Sequence, residues 1–327
     1  MKKNIIKIDQ NSGIPLIGTI FFGILDRGTN LLQIRATTYC PLKCIFCSTA
    51  ANSDIHPVYF EVDLNYLVNY LKDLVKIKGN NLEAHLDSVG EPAAYPKIVE
   101  LVREIRKIKN FKIISMQSNG YLLNEKLIKE LENAGLDRIN VSIQSLDQEK
   151  ANYIAGINTY DVEKLKSILR LISKSKIKLM IAPVYVPGIN DEDIEEIIKF
   201  AKEINAELGI QKYEVYKLGR KPKGVKKQSW YHFDELLNRL SKKYEIKLKL
   251  SKKDFLIEPR ETLPIEFKEN EIIYVDIKSP GWLKNQMIGV AKNRSISVEN
   301  CNANLNDRIK VKIISNKHNI YVAKQIK

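Results

Sequence analysis

Three of the four cysteines of the chain, Cys40, Cys44 and Cys47, lie within eight residues of one another. Thiolates this close together indicate a metal ion or an iron–sulfur cluster rather than core packing. Structural zinc sites usually take their ligands as two separated pairs, and the sequence has no second pair. A four-iron cluster bound by three cysteines leaves one iron open to an outside ligand. A cluster is therefore the first hypothesis, and a zinc site or a structural cysteine group is the alternative.

The spacing Cys-x3-Cys-x2-Cys, with Phe46 just before the last cysteine, resembles the signature of the radical S-adenosylmethionine (radical SAM) superfamily of iron–sulfur enzymes. The resemblance implies that Cys40, Cys44 and Cys47 hold a [4Fe-4S] cluster whose open iron chelates the methionine moiety of SAM. It implies reductive cleavage of SAM to a 5′-deoxyadenosyl radical. It also implies a partner that donates the electron, such as ferredoxin or flavodoxin.

Three later segments, at residues 88–92, 117–120 and 140–145, match positions of the same family in order along the chain, and the third places Ser142 where the family has a polar group facing the cofactor. Residues 88–92, Ser-Val-Gly-Glu-Pro, are similar to the family's Gly-Gly-Glu-Pro motif, although Val89 replaces the first glycine. Residues 117–120, Gln-Ser-Asn-Gly, are similar to its Thr-Asn-Gly turn. The resemblance implies that the cofactor is bound by Phe46, Gly90, Glu91, Ser118, Asn119 and Ser142. Taken alone, the segment at 88–92 also suits an ordinary strand-to-helix turn.

The apolar pattern after residue 30 alternates strands with helices, which predicts βαβ units and a parallel sheet. The predicted strands are 31–35, 82–88, 111–117, 138–143, 177–184 and 209–216, and the predicted helices are 64–77, 95–108, 124–134, 162–173 and 193–204. Six strands are too few for a closed eight-stranded barrel. The family resemblance implies an open (β/α)6 partial TIM barrel, with ligands bound at the carboxyl ends of its strands.

The second predicted parallel strand carries charged residues at alternate positions, including His85 and Asp87. One face of a barrel strand points to the interior, so both residues are weak candidates for catalysis or substrate contact. A buried polar network that only supports the fold explains them equally well. The remaining histidines, His56, His232 and His318, form no metal spacing and are predicted to lie at the surface.

The sequence predicts three segments. Residues 1–30 form an N-terminal β-hairpin extension, with strand 18–25 pairing to strand 31–35. Residues 31–254 form the partial barrel with an added helix at 231–244 and a strand at 246–250. Residues 255–327 contain short strands without helices at 272–277, 286–290, 295–298, 308–314 and 320–323, which predict a small all-β barrel. Its spacing and turns resemble TRAM domains, OB-like barrels that bind RNA.

Positive charge is concentrated in the C-terminal third of the chain. Residues 212–327 carry 26 basic and 13 acidic residues, a net charge of +13, out of +14 for the whole chain. This asymmetry favours a polyanionic partner, with RNA (tRNA or rRNA) preferred to a membrane. A solvated linker is the alternative for the basic loop at 217–227. The predicted RNA-binding residues are Arg220, Lys221, Lys223, Lys226, Lys227, Lys310 and Lys312.

The fourth cysteine, Cys301, is a weak catalytic candidate, but an isolated cysteine is more often a packing residue. One leftover cysteine cannot supply the second three-cysteine cluster that the family's methylthiolating members need. Few cysteines and an oxygen-sensitive cluster favour a reducing cytoplasm, and no apolar run has the length of a membrane span or signal peptide.

The function favoured by these observations is a radical SAM enzyme that modifies RNA. A radical SAM enzyme acting on a peptide, a protein or a small metabolite is the alternative within the same chemistry. A nonenzymatic RNA-binding protein with a zinc site is the alternative outside it.

Overall fold

The computed structural model describes residues 3–326 of the chain, which residue contacts divide into two compact units. The first unit comprises residues 3–39, Ser53–Ile113 and 257–326. The second comprises Cys40–Asn52 and Ile114–Leu256. No helix among the described residues is long and apolar enough to cross a membrane.

The strands are β1 (Asn4–Ile8), β2 (Gly23–Asp26), β3 (Leu31–Arg35), β4 (Val58–Val62), β5 (Leu82–Leu86), β6 (Phe111–Ser118), β7 (Arg138–Val141), β8 (Lys178–Ile181), β9 (Val184–Tyr185), β10 (Glu207–Leu208), β11 (Gln211–Lys212), β12 (Ile272–Pro280), β13 (Gln286–Ala291), β14 (Arg294–Glu299), β15 (Arg308–Ser315) and β16 (Val322–Gln325). The helices are α1 (Leu64–Lys78), α2 (Ile98–Arg106), α3 (Glu125–Ala134), α4 (Gln148–Ala155), α5 (Val162–Ser173), α6 (Asp191–Glu203) and α7 (Trp230–Tyr244).

In the first unit, β2 pairs with β3 in antiparallel fashion and β3 pairs with β5 in parallel. The predicted hairpin is therefore present, but its first strand begins at Gly23 rather than at residue 18. The backbone before Gly23 does not extend the hairpin because it pairs with the C-terminal barrel. The carbonyls of Ile17 and Gly18 accept hydrogen bonds from the N–H groups of Ser295 and Tyr321. Gly18 has a φ of +136°, and a Cβ there would collide with the backbone of Ser295.

The parallel pair of β1 and β4 was not predicted from the sequence. Asn4 lies opposite Val58 and Ile8 opposite Val62, so the first residues of the extension form a strand beside a distant segment rather than a local hairpin. Both strands are short, and nothing in their local pattern indicates which partner each will find.

In the second unit, β6, β7, β8 and β10 form a parallel ladder, as the alternating pattern predicts. Helix α5 has the predicted bounds, with the Asp161 side chain accepting from the Lys164 N–H as its N-cap. Helix α4 was not predicted. The predicted strand at 246–250 is absent, and the sixth strand is reduced to the short β10 and β11, with β11 ending at Lys212.

The C-terminal segment forms a closed five-stranded barrel in the order β12-β13-β14-β16-β15. The prediction of a small all-β barrel is confirmed. Its core includes Phe267, Ile296, Ile313 and Tyr321, and Cys301 is buried among them. The burial of Cys301 agrees with a packing role rather than a catalytic one.

The prediction that His56 lies at the surface is wrong. Its side chain is 1% exposed, stacks on the indole of Trp282 with ring centroids 3.9 Å apart, and has Nδ1 3.2 Å from the Trp282 carbonyl oxygen. A lone histidine far from any other candidate ligand gives no sign in the sequence of such an aromatic partner, 226 residues away.

A buried ion pair fixes the turn between β2 and β3. The Lys78 ammonium lies 2.8 Å from Asp26 Oδ1, and their side chains are 0% and 2% exposed. Asp26 also accepts hydrogen bonds from the backbone N–H groups of Gly28 and Leu263. The pair thus connects helix α1, the hairpin turn and the segment that leads into the C-terminal barrel.

Replacing Lys78 with Met should destabilise the first unit by about 3–5 kcal/mol, because Asp26 would remain as an uncompensated buried charge. Trp282 lies in the same unit, so urea unfolding followed by its emission in a Trp230→Phe background measures the effect. Lys76→Met is the matched control, since Lys76 and Asp73 form an exposed pair of about 0–1 kcal/mol. Equal urea midpoints for the two variants would contradict the assignment.

Candidate cofactor site

The three clustered cysteines lie on an irregular loop of the second unit. Cys40 is buried, Cys44 and Cys47 are half-buried, and none forms a disulfide. Among residues 3–326, no three His, Cys, Asp or Glu side chains converge as the ligands of one metal ion must. The zinc alternative therefore finds no support in the geometry. Thiolates that bind different irons of one cluster need not converge on a single point.

Hydrogen-bond donors surround two of the cysteine sulfurs. The Ala51 N–H donates to Cys47 Sγ at 3.4 Å, and Asn119 Nδ2 lies 3.6 Å from Cys40 Sγ. The Thr49 hydroxyl lies 3.3 Å from Cys47 Sγ. Donors of this kind stabilise negative charge on sulfur and tune the reduction potential of a bound cluster. The donor set therefore fits a cluster held by Cys40, Cys44 and Cys47.

The C-terminal end of α4 holds the backbone of the cysteine loop. The N–H groups of Lys43 and Ile45 donate to the carbonyls of Ala155 and Ile154, each at 3.0 Å. Gly156 ends the helix with a φ of +67°, and a Cβ there would collide with the Lys43 carbonyl. Free carbonyls at a helix end need partners, and here the loop supplies them. The glycine after the helix was the available signal for this contact.

Arg220 holds the other side of the loop. Its guanidinium donates to the carbonyls of Cys44, at 3.2 Å, Ala50, at 3.4 Å, and Ala51. Its backbone N–H donates to the Cys47 carbonyl at 2.8 Å. The sequence groups Arg220 with the RNA-binding residues, but the structure commits its guanidinium to the cysteine loop. The other predicted cations of this basic segment, Lys221, Lys223, Lys226 and Lys227, are exposed.

Three predicted cofactor residues, Phe46, Asn119 and Ser142, come together around a narrow cavity beside the cysteine loop. The other lining residues are Leu42, Cys44, Gln144, Ala151, Ile154, Ala155 and Tyr160. The Ser142 hydroxyl accepts from Gln144 Nε2 at 2.6 Å, and the Tyr160 hydroxyl donates to the Asn119 carbonyl at 3.1 Å. Sequence reasoning missed Gln144 and Tyr160.

Ser118, also predicted to bind the cofactor, does not line this cavity. It is 2% exposed, and its hydroxyl accepts from the Gly120 N–H at 3.0 Å, which fixes the turn after β6. That turn positions the neighbouring Asn119, whose Oδ1 in turn accepts from the Tyr121 N–H.

Gly90 and Glu91 lie in the first unit, where they pack on the end of the strand that leads to the cysteines. The Glu91 N–H donates to the Tyr39 carbonyl at 2.8 Å, and a Cβ on Gly90 would collide with the carbonyls of Thr38 and Tyr39. The Glu91 carboxylate accepts from the Ala93 N–H at 3.0 Å and caps a short turn. Glycine is thus required here by a close approach of two backbone segments.

Asp87 belongs to a polar network on the same unit. Arg35 contacts both carboxylate oxygens, at 2.9 and 2.7 Å, and Gln33 Nε2 donates to Oδ2 at 2.7 Å. A bidentate arginine satisfies a carboxylate well, so the structural interpretation of Asp87 is favoured over catalysis. His85 is half-buried on the neighbouring position of the same face.

The family model of the radical SAM superfamily matches residues 34–201, slightly more than half of the chain. This stretch contains the cysteine loop, the turns after β5 and β6, and the narrow cavity. The chain therefore belongs to the radical SAM superfamily, and it is an enzyme that uses a [4Fe-4S] cluster and SAM. When bound and reduced, the cluster supplies the electron that splits SAM.

The chain is 40% identical to "Uncharacterized protein MJ0103" of Methanocaldococcus jannaschii over 97% of its own length and 80% of the relative. It is 29% identical to a "Probable GTP 3',8-cyclase" of Saccharolobus islandicus over 71% of the chain and 70% of that protein. Among solved structures, SuiB of Streptococcus suis bound to S-adenosylmethionine matches with a TM-score of 0.53 at 20% identity. This match covers 68% of the chain but only about half, 49%, of SuiB. It shows the fold, the partial TIM barrel of radical SAM enzymes.

Cys40→Ala, Cys44→Ala and Cys47→Ala should each abolish reductive cleavage of SAM, because each removes one cluster ligand. Iron and sulfide analysis after anaerobic reconstitution, followed by detection of 5′-deoxyadenosine, measures the loss. Cys301→Ala is the control, since Cys301 lies in the barrel core. Full iron loading in the triple variant of the loop would refute the ligand assignment.

Arg220→Ala should lower cluster retention at a given iron supply, because three loop carbonyls lose a donor and the loop loses its fixed shape. The neighbouring Lys221→Ala removes the same charge from an exposed site and should load iron as the wild type does. Iron per chain after desalting is the measurement. Similar iron contents for the two variants would show that Arg220 does not hold the loop.

Proposed function

We propose that the chain is a radical SAM enzyme that modifies an RNA. The observation that carries the proposal is one face of the C-terminal barrel, where exposed apolar and aromatic side chains are bordered by cations. We call this face the basic strip, and it consists of Ile272, Tyr274, Arg308, Lys310, Lys312 and Lys324.

The strand registers set the residues of the basic strip side by side. Tyr274 lies opposite Lys310, and Ile272 lies opposite Lys312 on the paired strand. Tyr274 is 57% exposed and Ile272 is 52% exposed, while Val275 and Val311 point into the core. The Arg308 guanidinium lies 5.9 Å from the Tyr274 ring centroid. An exposed aromatic ring among cations on a small barrel suits base stacking with phosphate contacts.

Two lysines of the strip oppose each other, although carboxylates stand beside the strip. Lys312 lies directly opposite Lys324 across the β15–β16 ladder, while Glu299 lies opposite Lys324 on its other side and Asp276 lies opposite Arg308. Like charges at directly opposed positions destabilise a sheet. A bound polyanion removes this repulsion, and counterion release adds to the affinity. The arrangement supports RNA rather than an uncharged substrate.

The basic loop of the second unit supports the same proposal. Lys221, Lys223, Lys226 and Lys227 are exposed, and exposed aromatic residues flank them at Tyr216 and Trp230. Phosphate contacts by such lysines position an RNA without reading its sequence.

A nucleotide that is not part of an RNA is the second candidate substrate. It is favoured by the likeness to the "Probable GTP 3',8-cyclase" of Saccharolobus islandicus, at 29% identity over 71% of the chain. Both candidates share a nucleoside as the reacting group. We further propose that a small electron-transfer protein such as ferredoxin or flavodoxin supplies the electron, and that the enzyme works in the reducing cytoplasm its cluster requires.

The double variant Lys310→Gln/Lys312→Gln should weaken binding of a structured RNA and flatten its salt dependence. For each phosphate that the variant no longer neutralises, the slope of log affinity against log salt should fall by roughly 0.7–0.9. Filter binding of unfractionated tRNA at several salt concentrations measures the slope. Lys126→Gln/Lys129→Gln removes two exposed charges from helix α3 and serves as the matched control.

Tyr274→Ala should weaken binding of the same tRNA by about 1–3 kcal/mol if the ring stacks on a base, while Tyr274→Phe should retain affinity. Unlike the lysine variants, it should leave the salt slope unchanged. For the lysine variants, equal salt slopes of Lys310→Gln/Lys312→Gln and of the control Lys126→Gln/Lys129→Gln would contradict an RNA bound on the basic strip.

A further inference from the structure

A cavity of about 490 Å³ opens in the second unit, apart from the narrow cavity at the cysteine loop. Its walls come from the face of β7 and β8 that carries Asn140 and Met180, from residues 209–216, and from helix α7. The volume lies in the ~300–1,000 Å³ range of small-molecule sites. We propose that this cavity binds a single nucleoside unit, the group on which the radical acts.

The first argument is an acceptor without a donor. The Oδ1 atom of Asn140 is buried and has no hydrogen-bond partner among the described residues. A buried polar atom without a partner destabilises a fold and is rare for that reason. Asn140 lines the cavity, so a turn of its amide brings this acceptor to the cavity wall, where a ligand N–H or O–H satisfies it. Nucleobase amino groups and ribose hydroxyls are donors of this kind.

The second argument is the aromatic wall. Trp230 is 62% exposed, and the Lys212 ammonium lies 4.9 Å from its ring centroid. Lys212 is held in place by Glu214 at 2.6 Å, with its own side chain 1% exposed. The hydrogen bond from Lys212 lowers the pKa of Glu214, so the carboxylate stays ionised. Trp230 thus presents a fixed indole face on which a planar base can stack.

The third argument is position along β7. Asn140 lies on β7 and Ser142 directly follows its last residue, so the two are about 7 Å apart along an extended chain. Ser142 lines the narrow cavity at the cysteine loop and Asn140 lines the larger cavity. A group seated against Asn140 therefore lies next to the cofactor site. The exposed lysines at 221–227 lie in the chain between Tyr216 and Trp230, which both line the larger cavity, and they suit the phosphates of a nucleotide.

The nucleoside has two sources, a free nucleotide or a residue of an RNA turned out of its helix. Enzymes that act on a base commonly extrude it into a pocket, which a cavity of this size permits. The inference rests on the proposed function only for the RNA source. The experiment distinguishes the two sources.

The chain has two tryptophans, and only Trp230 lies in the cavity. Trp282 is buried against His56 in the other unit. The reconstituted holoenzyme is titrated separately with AMP, GMP, CMP and UMP and with unfractionated tRNA, and tryptophan emission is recorded. Quenching should occur in the wild type and vanish in Trp230→Phe, which keeps Trp282 as a fold reporter.

Asn140→Ala should weaken the Trp230-dependent binding about tenfold, because the ligand loses one hydrogen bond. Asn133→Ala, on the exposed face of α3, is the matched control and should bind as the wild type does. Trp230→Ala alters a residue that is 62% exposed, and equilibrium dialysis should show a loss of roughly fivefold to 150-fold. This variant tests the cavity even if Asn140→Ala does not fold.

Quenching by free nucleotides that depends on Asn140 supports the proposal that the cavity binds a nucleoside. If tRNA does not bind in that case, the proposed RNA function is overturned and the nucleoside site is kept. Quenching by tRNA alone supports the cavity with RNA as the source. Binding of tRNA by filter assay without any change in Trp230 emission overturns the cavity and leaves the RNA function in place. Absence of any binding overturns both.

Discussion

The fixed backbone of the cysteine loop is the constraint on which the site depends. The loop has no regular structure of its own, so its amide and carbonyl groups must find partners elsewhere. Lys43 and Ile45 donate to the last carbonyls of α4, while Arg220 donates to the carbonyls of Cys44 and Ala51. The cysteine loop is therefore held by α4 and Arg220, which both lie more than 100 residues later in the sequence. The backbone shape of the loop is set by these two elements, which both belong to the second unit.

The same constraint explains why small residues recur beside the loop. Gly156 allows α4 to end directly against Lys43, and Gly219 approaches the carbonyls of Cys47 and Ser48 so that Arg220 can reach the loop. In the first unit, Gly90 does the same for Thr38 and Tyr39. These glycines serve close backbone approach, and only Gly156 among them also needs a positive φ. The motif at 88–92 tolerates Val89 because that side chain is buried, whereas the position of Gly90 has no room for a Cβ.

Most of the order of strands and helices was predictable because β5, β6, β7 and β8 are short apolar runs, each with a predicted helix later in its repeat, and both periods are local. The grouping of Phe46, Asn119 and Ser142 around one cavity was predictable because the family motifs fix these positions in sequence, and the assignment of the three cysteines as cluster ligands stays a prediction. What escaped prediction depends on distant partners: the pairing of β1 with β4, the stacking of His56 on Trp282, and the contacts of Arg220. Composition marked Arg220 as one cation of a basic loop. Only the fold shows that its guanidinium meets three carbonyls 169 to 176 residues away.

The basic C-terminal third therefore does not act as one uniform cation. Lys78 and Lys212 show what this fold does with a lysine it uses internally, since each is buried and paired with a carboxylate within 2.8 Å. The Arg220 guanidinium is likewise used internally, because it donates hydrogen bonds to carbonyls of the cysteine loop. The cations of the basic strip are treated differently: Lys310 and Lys324 are exposed, and Lys312 faces Lys324 across the ladder. Glu299 lies opposite Lys324 on its other side, so the repulsion between the two lysines is partly offset within the barrel. The position of each charge, more than the net charge of the segment, therefore decides which cations are left for a partner.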